Sequence, residues 1–172
     1  MNKILLNLCL ALFLVFVTSC TSEDIQESNN SQLLGSWKLN AWNINNGFDM
    51  NNDGVVSTNL LNEIDCSYQE TLLFEPDNVV SLNTTFNPDL DIVLLNNSND
   101  EYRFNVGCDT EGVVSLATLY TLKDSIISFG NIEAVIDNNK ISIVYKNKIE
   151  IYNEDLTEVV ETKDLTLVYV KQ

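Results

Sequence analysis

Histidine is absent from all 172 residues, and arginine occurs once, as Arg103. Without histidine the usual general base for a serine or cysteine nucleophile is missing, and so is the commonest zinc ligand. No Gly-x-Ser-x-Gly, His-Glu-x-x-His, Gly-rich phosphate loop or Cys-x-x-Cys occurs either. Paired carboxylates do not restore an enzymatic reading, because 25 acidic residues produce close pairs by number alone. The expectation is a protein that is not an enzyme. Positive charge is scarce, with 9 Lys and Arg against 25 Asp and Glu and a net charge of −16. That field repels nucleic acid and anionic lipid head groups, and suits cations, cationic partners or simple solubility. No apolar run reaches the roughly 20 residues of a membrane-spanning helix. Helical periodicity is missing as well.

What is present begins with Lys3, an almost uninterrupted apolar segment from Ile4 to Val17, and the small residues Thr18 and Ser19 before Cys20. A short basic start, an apolar core of 14 residues and a small-residue site have the layout of a secretory signal peptide. The ending Val17-Thr18-Ser19-Cys20 resembles the lipobox of bacterial lipoproteins. That resemblance implies removal of residues 1–19, diacylglycerol on the Cys20 thiol and an acylated mature N-terminus. One acyl chain binds a bilayer marginally and two or more hold stably, so the membrane is an expected partner through the anchor. Residues 20–32 comprise the lipidated cysteine and a polar stretch without periodicity, expected to be a flexible tether. Its Ser22-Glu23-Asp24 is similar to the acidic signals that send some Gram-negative lipoproteins to the cell surface. The expected address is therefore the outer membrane of a Gram-negative bacterium, on its periplasmic or its surface face.

Residues 33–172 remain for one domain, enough for a single core. Of four cysteines, Cys9 lies in the apolar leader and Cys20 is the acylation site. Cys66 and Cys108 are left as a pair in an oxidising, exported setting, which predicts a disulfide. Two free thiols or a metal pair fit less well, since zinc takes four ligands and no histidine is available.

From Leu33 onward, short alternating apolar runs are cut by turn residues, the period of strands. In Leu33 to Trp42, Trp37, Leu39 and Ala41 share one face, with Lys38, Asn40 and Trp42 on the other. Further strands are predicted at Gln69 to Glu75, Asn78 to Leu82, Asp91 to Leu95, Glu101 to Val106, Val113 to Leu122, Ser125 to Phe129 and Ile132 to Ile136. Lys140 to Tyr145, Lys148 to Tyr152 and Asp164 to Val170 complete the series. Turns are expected at Pro76-Asp77-Asn78, Glu111-Gly112, Gly130-Asn131, Asp137-Asn138-Asn139 and Lys146-Asn147-Lys148. A helical turn is allowed near Leu60 to Asp65 or Asp155 to Glu161. The fold class is all-β, an antiparallel barrel or sandwich of about 8–10 strands.

Gly35-Ser36-Trp37 at the opening of the first strand is similar to the Gly-x-Trp start of lipocalins. Leu33 to Leu39 resembles the start of lipocalin-like domains in bacterial lipoproteins. The resemblance implies a β-barrel in which Trp37 plugs one end beneath a basic side chain. Lys171 is the expected cover, because Arg103 lies mid-chain. It also implies a small apolar or amphipathic ligand in the lumen, with Leu72, Phe74, Tyr102 and Phe104 among the inward residues.

Asp49-Met50-Asn51-Asn52-Asp53-Gly54-Val55-Val56-Ser57 carries oxygen-bearing side chains at alternate positions and glycine at the sixth, the first half of a calcium loop. Asp49, Asn51, Asp53, the Val55 carbonyl and Ser57 would be ligands, with Glu63 or Asp65 closing the site in place of Leu60 at position twelve. The expected role of Ca²⁺ is structural and weak. The other reading is an Asn/Asp-rich loop that caps its own backbone. Two functions follow: a lipid-anchored carrier of a small ligand, or a cell-envelope or surface module contacting protein or glycan through a calcium-ordered loop.

Overall fold

The computed structural model describes residues 31–67, 69–96, 98–108 and 115–172. The expected leader, the expected lipidation site at Cys20, most of the expected tether and the predicted Glu111-Gly112 turn lie outside these residues. The unit from Leu33 to Gln172 is an all-β barrel.

Among the described residues eleven strands are formed: β1 (Gly35–Phe48), β2 (Ser57–Asn59), β3 (Thr71–Phe74), β4 (Val79–Asn83), β5 (Asp89–Leu94), β6 (Tyr102–Gly107), β7 (Leu116–Lys123), β8 (Ile126–Phe129), β9 (Ile132–Asp137), β10 (Lys140–Tyr152) and β11 (Val159–Lys171). Eight of them run β11-β1-β3-β4-β7-β8-β9-β10 by antiparallel pairing, and β10 pairs back onto β11 to close the ring. Closure removes the unpaired edges that an open sheet of this length would leave. The tight turns are made where the chain supplies residues that tolerate positive φ: Asn78 (61°), Asp124 (57°), Gly130 (56°) and Asn138 (52°).

β1, β10 and β11 continue past the ring. Their overhang carries β2, a single 3₁₀ turn at Leu60–Asn62 and the β5–β6 hairpin, which joins β10 in parallel at Ile92↔Ile151 and Val93↔Tyr152. Gly47 is required where β1 meets β2, because a Cβ there would stand 2.0 Å from the Ser57 carbonyl oxygen. The disulfide Cys66–Cys108, with Cα atoms 5.5 Å apart, ties the segment before β3 to the end of β6.

The strands depart from simple alternation at named places. The register against β11 slips between Leu39 and Ala41, so a bulge turns Trp42 inward, to 6% exposure, where unbroken alternation would leave it outside. Lys146-Asn147-Lys148 is not a turn. It is a bulge inside one 13-residue strand, with Asn147 at φ 52° donating its N–H to Asp164 Oδ1 at 3.0 Å. Lys146 pairs with the other oxygen of Asp164 at 2.6 Å, and Thr162 donates to Asn147 Oδ1 at 2.9 Å. Asp155 to Glu161 forms no helix, because Asn153 Oδ1 accepts from the Thr157 and Glu158 amides and folds the chain into a turn that leads into β11. Tyr102 and Phe104 do not face the lumen. They pack outside the ring on Phe48, at centroid distances of 5.0 and 5.3 Å.

One end of the barrel is filled. Leu33, Trp37, Phe74, Val80, Tyr120, Ile127 and Ile141 are buried there, with Phe74 edge-on to Tyr120 at 5.1 Å. The Trp37 indole N–H donates to the Leu33 carbonyl at 2.7 Å, and Lys171 Nζ lies 5.5 Å from the indole centroid.

Candidate ligand cavity

Toward the other end the lumen is not filled. A cavity of about 230 Å³ is walled by Leu72, Leu82, Phe129, Ile143, Leu165 and Leu167, and reaches solvent past Thr85, Asn87 and Lys148. Strand alternation builds the wall, since Leu72 and Leu82 face each other across β3 and β4, and Ile143 pairs with Leu167 across β10 and β11. The segment 84–88 between β4 and β5 crosses the opening. Thr84 Oγ1 donates to the Gln69 carbonyl at 2.8 Å, and the Phe86 ring meets Trp42 edge-on at 5.4 Å. Phe86 and Trp42 both line the chamber.

Of the two charged side chains that line this chamber, Lys148 is exposed and Glu70 is buried. Glu70 is 3% exposed. Its Oε1 accepts from the Tyr169 hydroxyl, and its Oε2 accepts the Phe86 N–H at 2.6 Å. Burial pushes the carboxyl above the usual carboxylate range, while the Tyr169 and Phe86 hydrogen bonds pull against that rise. Burial, then the neighbouring Glu70 charge, holds Tyr169 and Tyr145 above the ordinary phenol range. The two ion pairs among the described residues are Lys146–Asp164 and Lys163–Glu161, so Glu70 takes part in neither. The sequence reading missed Glu70, although the signal was there. Residues 70, 72 and 74 share one strand parity, and that parity puts a carboxylate on the same face as Leu72 and Phe74.

The predicted calcium loop is held by its own amides. Asp49 accepts from the Asp53 and Gly54 N–H groups, each at 3.0 Å. Asn51 Oδ1 accepts from Asp53 N at 2.9 Å, and Asp53 Oδ1 from Val55 N at 2.7 Å. Glu63, which is 6% exposed, folds back onto the loop and accepts from the Met50 N–H at 2.8 Å. Ser57 is engaged elsewhere, with Asn59 and Asn62. Asp49, Asn51, Asp53 and Glu63 are thus brought to one loop, and Ser57 is not. Among the described residues no three His, Cys, Asp or Glu side chains converge as metal ligands. Gly35, Trp37 and Lys171 meet at the filled end, where a Cβ on Gly35 would lie 3.8 Å from Lys171 Cε and Lys171 Nζ stands over the Trp37 ring.

Compared with protein-family models, curated proteins and solved structures, the chain matches none.

Proposed function

We propose that this chain is an exported lipoprotein, held by an acylated Cys20 at the outer membrane of a Gram-negative bacterium, whose lipocalin-like barrel binds a small apolar or amphipathic ligand and catalyses no reaction. The observation that carries the binding reading is the chamber beneath Phe86. Interiors are ordinarily packed to crystal density, and this lumen is packed at one end and hollow at the other. Size limits the ligand. A dry apolar cavity of about 150 Å³ admits benzene, so the 230 Å³ inside the barrel suits a substituted ring or a short chain. The anchoring reading is supported by the leader and by Val17-Thr18-Ser19-Cys20.

A titration with 1-hexanol tests the binding reading. Amide NMR signals of Leu72, Ile143 and Leu167 are expected to shift saturably, and Leu82→Trp, which fills the chamber from its wall, is expected to abolish the shifts. An unchanged spectrum at millimolar 1-hexanol would sink it.

A second reading, contact with a protein or glycan, draws on the loop 49–63, where Val55 and Val56 are 63% and 66% exposed. In that reading Ca²⁺ orders the loop through Asp49, Asn51, Asp53 and Glu63. These oxygens would have to turn from the loop amides to the ion, which fits the weak affinity of extracellular sites, on the order of 10⁻⁴ to 10⁻³ M.

A further inference from the structure

We propose that the ligand of the barrel chamber is a small organic cation, an ammonium group on a ring or short chain, with Glu70 as its counter-ion. The inference rests on the chamber being a binding site and names the chemistry it selects. A buried carboxylate without a cationic partner is costly, and its hydrogen bonds offset only part of the lost hydration. Glu70 is in that position, with its 3% exposure, its two accepted hydrogen bonds and no ion pair among the described residues. Each carboxylate oxygen accepts one bond and keeps a further lone-pair site, so the carboxylate can also accept from an ammonium in the chamber.

The surroundings fit the same ligand. Trp42, Phe86, Tyr145 and Tyr169 all line the chamber, and aromatic faces attract cations within about 6 Å of the ring centroid. The apolar walls Leu72, Ile143 and Leu167 take the body of the ligand. At longer range, the net charge of −16 raises the local concentration of cations and opposes anions. Lys148 at the rim is the one feature that would favour an anion. It sits at the exposed mouth and forms no ion pair with Glu70.

The test uses three ligands of one length: hexylammonium, 1-hexanol and hexanoate, titrated at pH 7.5 into the wild-type protein and Glu70→Gln. Wild type is expected to bind hexylammonium at least tenfold more tightly than 1-hexanol, equivalent to about 1.4 kcal/mol. Glu70→Gln is expected to lose that preference, binding hexylammonium and 1-hexanol within about twofold of each other. Equal binding of hexylammonium and 1-hexanol, or tighter binding of hexanoate, overturns the cation proposal and leaves the chamber a binding site. Binding of none of the three overturns both.

Should Glu70→Gln not melt cooperatively, the pH dependence of the wild type decides. Hexylammonium affinity is expected to fall on acidification as Glu70 takes up a proton, while 1-hexanol affinity stays level. Equal slopes overturn the proposal. The other titratable side chains facing Glu70 are Tyr169 and Tyr145, both held above the phenol range, with Lys148 at the rim.

Discussion

Glu70 links the stability of the fold to the chemistry of its chamber. Its carboxyl is raised by burial, so the folded state holds the proton more tightly than the unfolded chain does. Between the two values unfolding releases protons, and stability falls as pH rises. The contribution is fully present below the ordinary glutamate value of 4.5 and is lost as pH rises through the raised folded value. Denaturation of wild type and Glu70→Gln across pH 4 to 8 is expected to show this descent in the wild type and not in the variant. A wild type that gains stability over that range relative to Glu70→Gln would show that the hydrogen bonds from Tyr169 and Phe86 outweigh burial.

At the scale of elements, the overhang depends on a covalent tie. The β5–β6 hairpin meets the barrel through a short parallel pairing at Ile92 and Val93, through Phe48 beneath Tyr102 and Phe104, and through Cys66–Cys108. Closing a loop with a sequence separation of 42 stabilises by about 4 kcal/mol in the chain-entropy model. The double variant Cys66→Ser, Cys108→Ser is expected to lose roughly that amount in chemical denaturation. Faster amide exchange is expected in β5 and β6 than in the barrel strands, since local opening follows local contacts. Uniform exchange across the molecule would place the tie in the global fold instead. The loop 49–63 is tested by thermal melts in EDTA and in millimolar Ca²⁺. At 1 mM Ca²⁺ a site with a dissociation constant on the order of 10⁻⁴ M gains about 1.4 kcal/mol, a shift of a few degrees, and Asp53→Ala is expected to remove it. An equal midpoint in both buffers would leave the loop as self-capped turn chemistry.

For the whole molecule, the anchor and the barrel are separable claims. Cys20→Ala is expected to move the protein from the membrane to the soluble fraction and to leave binding of 1-hexanol unchanged. Retention in the membrane fraction would refute anchoring through that residue and leave the barrel's chemistry untouched. The surface carries few cations to oppose the release, since 25 acidic residues are repelled by anionic head groups.

The residues alone determined the all-β class, because alternation of period two and the turn-forming Asn, Asp and Gly residues act over a few positions. They also pointed to the Cys66–Cys108 disulfide, since the roles expected of Cys9 and Cys20 leave only that pair. The tertiary structure decided what depends on distant partners. The bulge at Leu39 and Ala41 turned Trp42 into the lumen, and the one at Asn147 joined two expected strands into β10. Placing β6 outside the ring sent Tyr102 and Phe104 onto Phe48 instead of into the lumen. Glu70 became the polar centre of a chamber only when β3, β11 and the Phe86 segment met, 99 residues separating it from Tyr169. Local periodicity cannot encode that meeting, because the register between distant strands is set by closure of the barrel.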